Sequence, residues 1–174
     1  HNKEFVVKYI QPEICGICNY LEYYIMLYNT HPHIVKAKAV ELTKHNLVKI
    51  IQPRAISDLS KRVKDKRSIF RQLVSAIDYL SRHAIVHGDI KPSNILLYEH
   101  NQVKLNDFSL CRFTCSTSNK QLYTYHYRPP EVDTGQFSLK SDIYALGCTM
   151  YEIYFHEPYH NKIYQSRIHY KREL

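Results

Sequence analysis

The chain has 174 residues, 44% of them hydrophobic, and a formal net charge of +8. That length allows one core or two small lobes. No apolar run approaches membrane-spanning length and the N-terminus lacks a signal-peptide pattern, so the sequence offers nothing for a membrane partner. The positive charge favours anionic partners in general, but the basic residues are spread over 36–49, 54–71 and 167–172. No zinc-finger, RNP or helix-turn-helix pattern accompanies them, so a solvated basic face is the better reading than nucleic-acid binding.

In chain order, Phe5–Ile10 alternates and is rich in strand formers, which predicts a strand carrying Lys8. Taken alone, Lys8 is an ordinary surface lysine. Residues 14–28 carry apolar side chains at helical spacing with Glu22 among them. Two further strands are expected over 37–42 and 47–51, and a short polar helix over 58–63. Residues 68–81 form a stronger helix, with Ile69, Leu73, Ala76, Ile77 and Leu80 on one face. Ile95–Leu97 and Val103–Leu105 read as short strands joined by a tight polar turn over 99–102. Such a hairpin brings Asn94 and Asp107 together, since each lies at the end of its strand away from the turn. An amide oxygen and a carboxylate meeting there suit Mg²⁺, which takes few protein ligands. Asp89 and Lys91, just upstream, supply a base and a fixed positive charge, and this is the equipment phosphoryl transfer needs. Residues 110–123 are polar and rich in Ser and Thr. Residues 142–155 then form a helix, with Gly147 expected to allow close packing.

The five cysteines are an odd number. Cys15 and Cys18 form a C-x-x-C, whereas Cys111 and Cys115 are three residues apart and Cys148 falls in the last predicted helix. A four-cysteine zinc site needs a second pair with ligand spacing, so reduced thiols in a cytoplasmic or nuclear compartment are the default reading.

His87-Gly88-Asp89-Ile90-Lys91-Pro92-Ser93-Asn94 resembles the catalytic loop H-R-D-x-K-x-x-N of eukaryotic-type protein kinases. Asp107-Phe108-Ser109 resembles D-F-G, Pro129-Pro130-Glu131 resembles A-P-E, and the stretch from Ser141 to Gly147 resembles D-x-W-S-x-G. Thr30-His31-Pro32-His33-Ile34-Val35 is similar to the H-P-N-I-V that follows the regulatory helix. The motifs stand in family order at family-like intervals and span nearly the whole chain.

The resemblance implies a two-lobed α+β fold, with a partial small lobe over 1–52 and a partial large lobe over 53–174. It implies that Lys8, held by Glu22, binds the α- and β-phosphates of ATP, and that Asn94 and Asp107 hold Mg²⁺. Asp89 is then the base that takes the substrate hydroxyl proton, and Lys91 neutralises the γ-phosphate, as in Ser/Thr rather than Tyr kinases. Thr124 bridges Asp89 and Lys91. Gln52 and Pro53 begin the connector where adenine binds, with Lys49 or Ile50 at the back of the pocket.

Thr124-x-x-Tyr127-Arg128-x-Pro130-Glu131 resembles the cyclin-dependent and MAP kinase group, in which that arginine shapes a pocket for proline after the phosphorylated residue. The implied partners are a protein substrate, with Ser-Pro or Thr-Pro sites, and a regulatory protein.

The departures are specific. Gly88 stands where the family has an arginine that receives an activation-segment phosphate, so modification at Thr114, Ser116, Thr117 or Ser118 is not expected to be a required switch. Ser109 replaces a glycine. No G-x-G-x-x-G occurs among the four glycines, Gly16, Gly88, Gly135 and Gly147. The chain begins with His1 and stops before the family's last helices, which reads as a fragment. The arginine that pairs with Glu131 is expected in the missing part, and neither Arg167 nor Arg172 has the spacing for it. An enzyme is the reading preferred on the polar residues; the alternative is a catalytically inactive scaffold or decoy that binds a protein partner.

Overall fold

The computed structural model describes residues 4–10, 16–45, 47–114, 124–131 and 138–159. Its first sheet has three antiparallel strands in the order β1 (Phe5–Ile10), β3 (Val48–Pro53), β2 (Ala39–Leu42). The central strand β3 buries Val48, Ile50 and Gln52 at alternate positions, as a strand with one covered face should. Helix α1 (Gly16–Tyr28) buries Leu21, Glu22, Ile25 and Met26, a single stripe of its surface. At its C-terminal end the Asn29 carboxamide donates to the carbonyls of Ile25 and Val35, at 2.7 and 3.1 Å. This turns the chain back under the helix.

The segment after α1 joins the sheet to the rest of the molecule. Ile34 and Val35 are fully buried. The Val35 N–H donates to Leu105 O and the Leu105 N–H to His33 O, each at 2.9 Å. Leu105 ends β7 (Val103–Leu105), which pairs with β6 (Ile95–Leu97) in the predicted hairpin; β4 (Ser57–Asp58) adds a third strand beside β6. A short pair, β5 (Ile85–Val86) with β8 (Arg112–Phe113), lies on either side of the β6–β7 hairpin in sequence.

Helix α2 (Lys66–Arg82) starts at Asp65, whose carboxylate accepts from the Ser68 N–H at 3.0 Å. Its buried residues are the five expected from the apolar spacing. Gln72 binds it to the hairpin: its amide donates to Asn101 O at 3.0 Å and its Oε1 accepts from the Val103 N–H at 2.8 Å. Helix α3 (Leu139–Phe155) begins with a capping box between Ser138 and Ser141 and buries Asp142, Ala145, Leu146, Thr149 and Ile153.

Three local expectations differ from the structure. Residues 58–63 are not helical. The Asp58 carboxylate accepts from the Ser60 N–H at 2.8 Å, the kind of local side-chain bond that competes with helix. The Leu59 N–H meanwhile bonds Pro92 O and Ile95 O, both at 3.1 Å, which draws this segment onto the start of β6 and the turn before it. Gln52 and Pro53 complete β3 rather than begin the connector, because their pairing with Val6 and Phe5 extends the ladder. A Cβ on Gly147 would meet nothing within 4 Å, so this glycine does not serve close packing.

Replacing Gln72 by Leu leaves the N–H of fully buried Val103 without its acceptor. We expect a loss of about 1–3 kcal/mol of stability, read as a lower urea midpoint at unchanged m-value.

Candidate active site

The site is built on a loop that α3 holds from below. Asp142, in the first turn of α3, accepts from the backbone N–H groups of His87 at 2.7 Å and Gly88 at 3.0 Å. Burial pushes its carboxyl up to about 6, against those two donors and the charge of Arg112. Gly88 has φ +80°, and a Cβ there would lie 2.9 Å from the Leu110 carbonyl oxygen. Both facts call for glycine at this turn.

His87 is fully buried against Phe108, with ring centroids 4.8 Å apart. Burial lowers its pKa to about 4, so the ring is neutral. The Asp89 N–H reaches its Nδ1 at 3.2 Å and Asn106 O lies 3.1 Å from its Nε2, which assigns the proton to Nε2. The ring thus fixes the backbone on both sides of the hairpin. Farther along, the Thr149 hydroxyl of α3 donates to Ile90 O at 3.2 Å.

Asp89, thus anchored, is the centre of a polar knot. Its Oδ1 accepts from the Thr124 hydroxyl at 2.7 Å. Its Oδ2 accepts from the Asn94 amide at 2.8 Å and lies 2.7 Å from Lys91 Nζ. Lys91 Nζ also donates to Thr124 Oγ1 at 2.9 Å, so lysine, threonine and aspartate close a ring. Thr124 is positioned by the 3-10 turn Tyr125–Tyr127, whose last N–H returns to Thr124 O. Tyr127 in turn donates its hydroxyl to Glu152 of α3.

The Asn94 amide nitrogen also donates to Asp89 O at 2.8 Å. With the nitrogen engaged twice, the carboxamide oxygen is the group free to coordinate. The Asn106 N–H bonds Asn94 O at 2.9 Å, extending the β6–β7 ladder one step, and Asp107 follows immediately with φ +63°.

Lys8 Nζ lies 3.2 Å from Asp107 Oδ1 and 4.0 Å from Glu22 Oε1. The lysine therefore sits between both acids and nearer to Asp107. Burial alone would raise the Asp107 carboxyl, but the charge and hydrogen bond of Lys8, with the Ser109 hydroxyl, hold it below its ordinary value. Glu22 is buried and its Oε1 makes no hydrogen bond. Burial raises it to about 6, opposed by Lys8 and reinforced by Asp107.

The seven residues singled out from the sequence fall into two clusters: Asp89, Lys91, Asn94 and Thr124 around the knot, and Lys8, Glu22 and Asp107 around the lysine. The anchoring role of Asp142 was not read from the sequence, although the residue stands in the Ser141–Gly147 stretch quoted above. Glu131 accepts from the Ser141 hydroxyl at 3.0 Å. Among the described residues, no group of three or more His, Cys, Asp or Glu is placed to hold a metal ion. Cys15, Cys115, Ser116, Thr117, Ser118, Gly135, Arg167 and Arg172 lie outside the described residues, as does the Cys18 side chain.

The profile of the protein kinase domain matches residues 1–173. The chain is 36% identical over 139 residues to sperm motility kinase Z of Mus musculus, covering 73% of this chain and 28% of that protein. It is 42% identical over 94 residues to a probable cell division protein kinase of Encephalitozoon cuniculi, covering 53% and 30%. It is 35% identical over 113 residues to the serine/threonine-protein kinase Nek6 of Oryza sativa, covering 58% and 21%. The chain thus spans less than a third of these relatives. Among solved structures, a chain of the yeast RNA Pol II CTD kinase CTDK-1 complex is similar at a TM-score of 0.75 and 25% identity, over 88% of this chain and 55% of that one.

Glu22 generates a pH test. Its pKa in the folded chain lies above the ordinary 4.5, so the stability it contributes is complete below that value and is lost as pH rises through about 6. Glutamine does not titrate. We expect the stability of Glu22→Gln relative to the parent to rise by about 2 kcal/mol across that interval and then level off, in urea titrations at a series of pH values.

Proposed function

The chain belongs to the protein kinase family, and we propose that it carries the groups for ATP-dependent phosphoryl transfer to Ser or Thr hydroxyls of proteins. The ring of Asp89, Lys91 and Thr124 is the observation that carries this reading. A carboxylate held by a hydroxyl, an amide and an ammonium is fixed in position and still has acceptor capacity for a substrate hydroxyl. In the proposed reaction Asp89 orients that hydroxyl and takes its proton as the hydroxyl oxygen bonds to the γ-phosphorus of ATP and the bond from that phosphorus to the bridging oxygen breaks, with ADP as the leaving group. Lys91 places positive charge where the transferred group passes, and Thr124 keeps base and lysine in register.

Lys8 is 40% exposed at its side chain and can turn from Asp107 to phosphate oxygens while staying beside Glu22. Mg²⁺ fits the two hard oxygen donors offered by Asn94 and Asp107, one a carboxylate kept ionised by its surroundings. When bound it would neutralise charge on the phosphates. A pure scaffold has no use for this arrangement, which is why we set that alternative aside. A regulatory protein partner remains part of the proposal, supported by the structural neighbour being part of a complex.

Substrate choice is proposed to rest on Arg128, which directly follows the turn that positions Thr124. By resemblance it shapes a pocket with no acceptor for the N–H of the next substrate residue. Proline has no N–H to strand there.

Two outcomes test these assignments in the full-length protein. Asp89→Asn should lower kcat by about 10²–10⁴-fold with little change in nucleotide affinity, whereas Asp107→Asn should weaken both; full activity in Asp89→Asn would remove the base assignment. Peptide arrays should show Ser-Pro or Thr-Pro favoured over Ser-Ala or Thr-Ala by about 1–2 kcal/mol, and indifference at that position would reject the role given to Arg128.

A further inference from the structure

One run of basic residues is gathered beside the turn that follows Lys91. Residues 61–71 hold Lys61, Arg62, Lys64, Lys66, Arg67 and Arg71 against a single acid, Asp65. Lys66 is taken up by the end of α3, where it donates to Tyr154 O at 3.3 Å with its ammonium over the Tyr154 ring. The other five basic side chains are exposed. Among the described residues, the ion pairs engage Lys8, Lys49, Arg54, Arg82 and Lys91, and none of those five. The acids nearest in the chain are engaged by backbone: the Asp65 carboxylate accepts from the Ser68 N–H and that of Asp58 from the Ser60 N–H. Arg67 and Arg71 stand one helical turn apart on the face of α2 away from its buried stripe, where like charges repel. The strip is a concentrated positive field, and an anionic partner would relieve it.

Its place is fixed by contacts next to the site. The Leu59 N–H bonds Pro92 O and Ile95 O, and Asp58 pairs with Leu96. Pro92 directly follows Lys91, whose ammonium lies 2.7 Å from Asp89. Ser93, in the same turn, is exposed. A chain advances at most about 3.5 Å per residue, so Lys61, Arg62 and Lys64 lie within about 18 Å of Leu59. An extended protein segment covers that span in about six residues.

We propose that the strip from Lys61 to Arg71 docks an acidic segment of the protein substrate, a few residues from the hydroxyl that is phosphorylated. This rests on the phosphoryl-transfer reading above and adds to it a class of substrate. Single exposed ion pairs contribute little, but several together speed encounter and hold the segment, and salt screens them. A carboxylate-rich protein segment fits better than nucleic acid because the strip borders the place where a protein substrate must lie.

The test uses the full-length protein and three peptides that share one acceptor serine. One peptide carries four glutamates before the serine, one carries them after it, and one has glutamine at all these positions. At about 50 mM salt one acidic peptide should show a kcat/KM about tenfold above the glutamine peptide, carried by KM, and the gap should close at about 500 mM. Lys61→Glu, Arg62→Glu and Lys64→Glu together should remove the preference and leave turnover of the glutamine peptide as it was. Equal kcat/KM for the three peptides in the parent, or a preference that survives the charge reversal, would overturn the proposal and leave phosphoryl transfer standing. Tight binding of a labelled duplex oligonucleotide, lost on charge reversal while the peptides are treated alike, would give the strip to nucleic acid and overturn it too. If no peptide is phosphorylated, the function proposed above falls and this inference with it. The peptide comparison on the parent needs no variant, so a misfolded triple variant does not protect the idea.

Discussion

One buried carboxylate holds the active site to the body of the molecule. Asp142 has almost no contact with water, yet it receives two backbone N–H groups from the loop that presents Asp89. Burying an acid is costly, and the raised pKa of Asp142 records that cost. The two donors and the nearby Arg112 offset it. The loop has no regular secondary structure between β5 and the turn Pro92–Asn94, so its shape depends on such anchors. His87 adds a second from the hairpin side and Thr149 a third from α3. Only with these in place do Asp89, Lys91, Asn94 and Thr124 converge.

The lysine cluster has a different logic. Asp89 is held by three partners, Thr124, Asn94 and Lys91, whereas Lys8 is shared between two acids at unequal distance. The nearer acid, Asp107, is half-buried and ionised; the farther one, Glu22, is buried and reluctant to ionise. One ammonium cannot satisfy both, and a phosphate oxygen or a metal ion would redistribute the three charges. The resting arrangement is thus a balance of desolvation against attraction.

How legible this was in the sequence depends on the range of the interactions. Helix α2 was readable because its five buried residues repeat at helical spacing, and the β6–β7 hairpin because its strands flank a polar turn. The grouping around Asp89 was suggested by motif order. The rest depends on contacts the chain makes far from itself. Residues 58–63 looked helical until the Asp58 side chain and the pull on Leu59 are counted. The anchoring role of Asp142 needs α3 to pass beneath residues 87 and 88, 55 and 54 positions away. Whether Lys49 or Ile50 faces the lysine is a matter of strand register, and a slip of one residue reverses the answer.

Gly88 also sets what this loop can accept. Its positive φ and the Leu110 carbonyl oxygen 2.9 Å from a Cβ leave no room for the arginine that the resemblance expects there, and Arg112 Nη2 lies 3.7 Å from the same point. Any side chain at this position would push the Leu110 segment aside, and that segment runs directly into β8, which pairs with β5 just ahead of the loop. A larger residue at one turn would thus be felt on both sides of the hairpin.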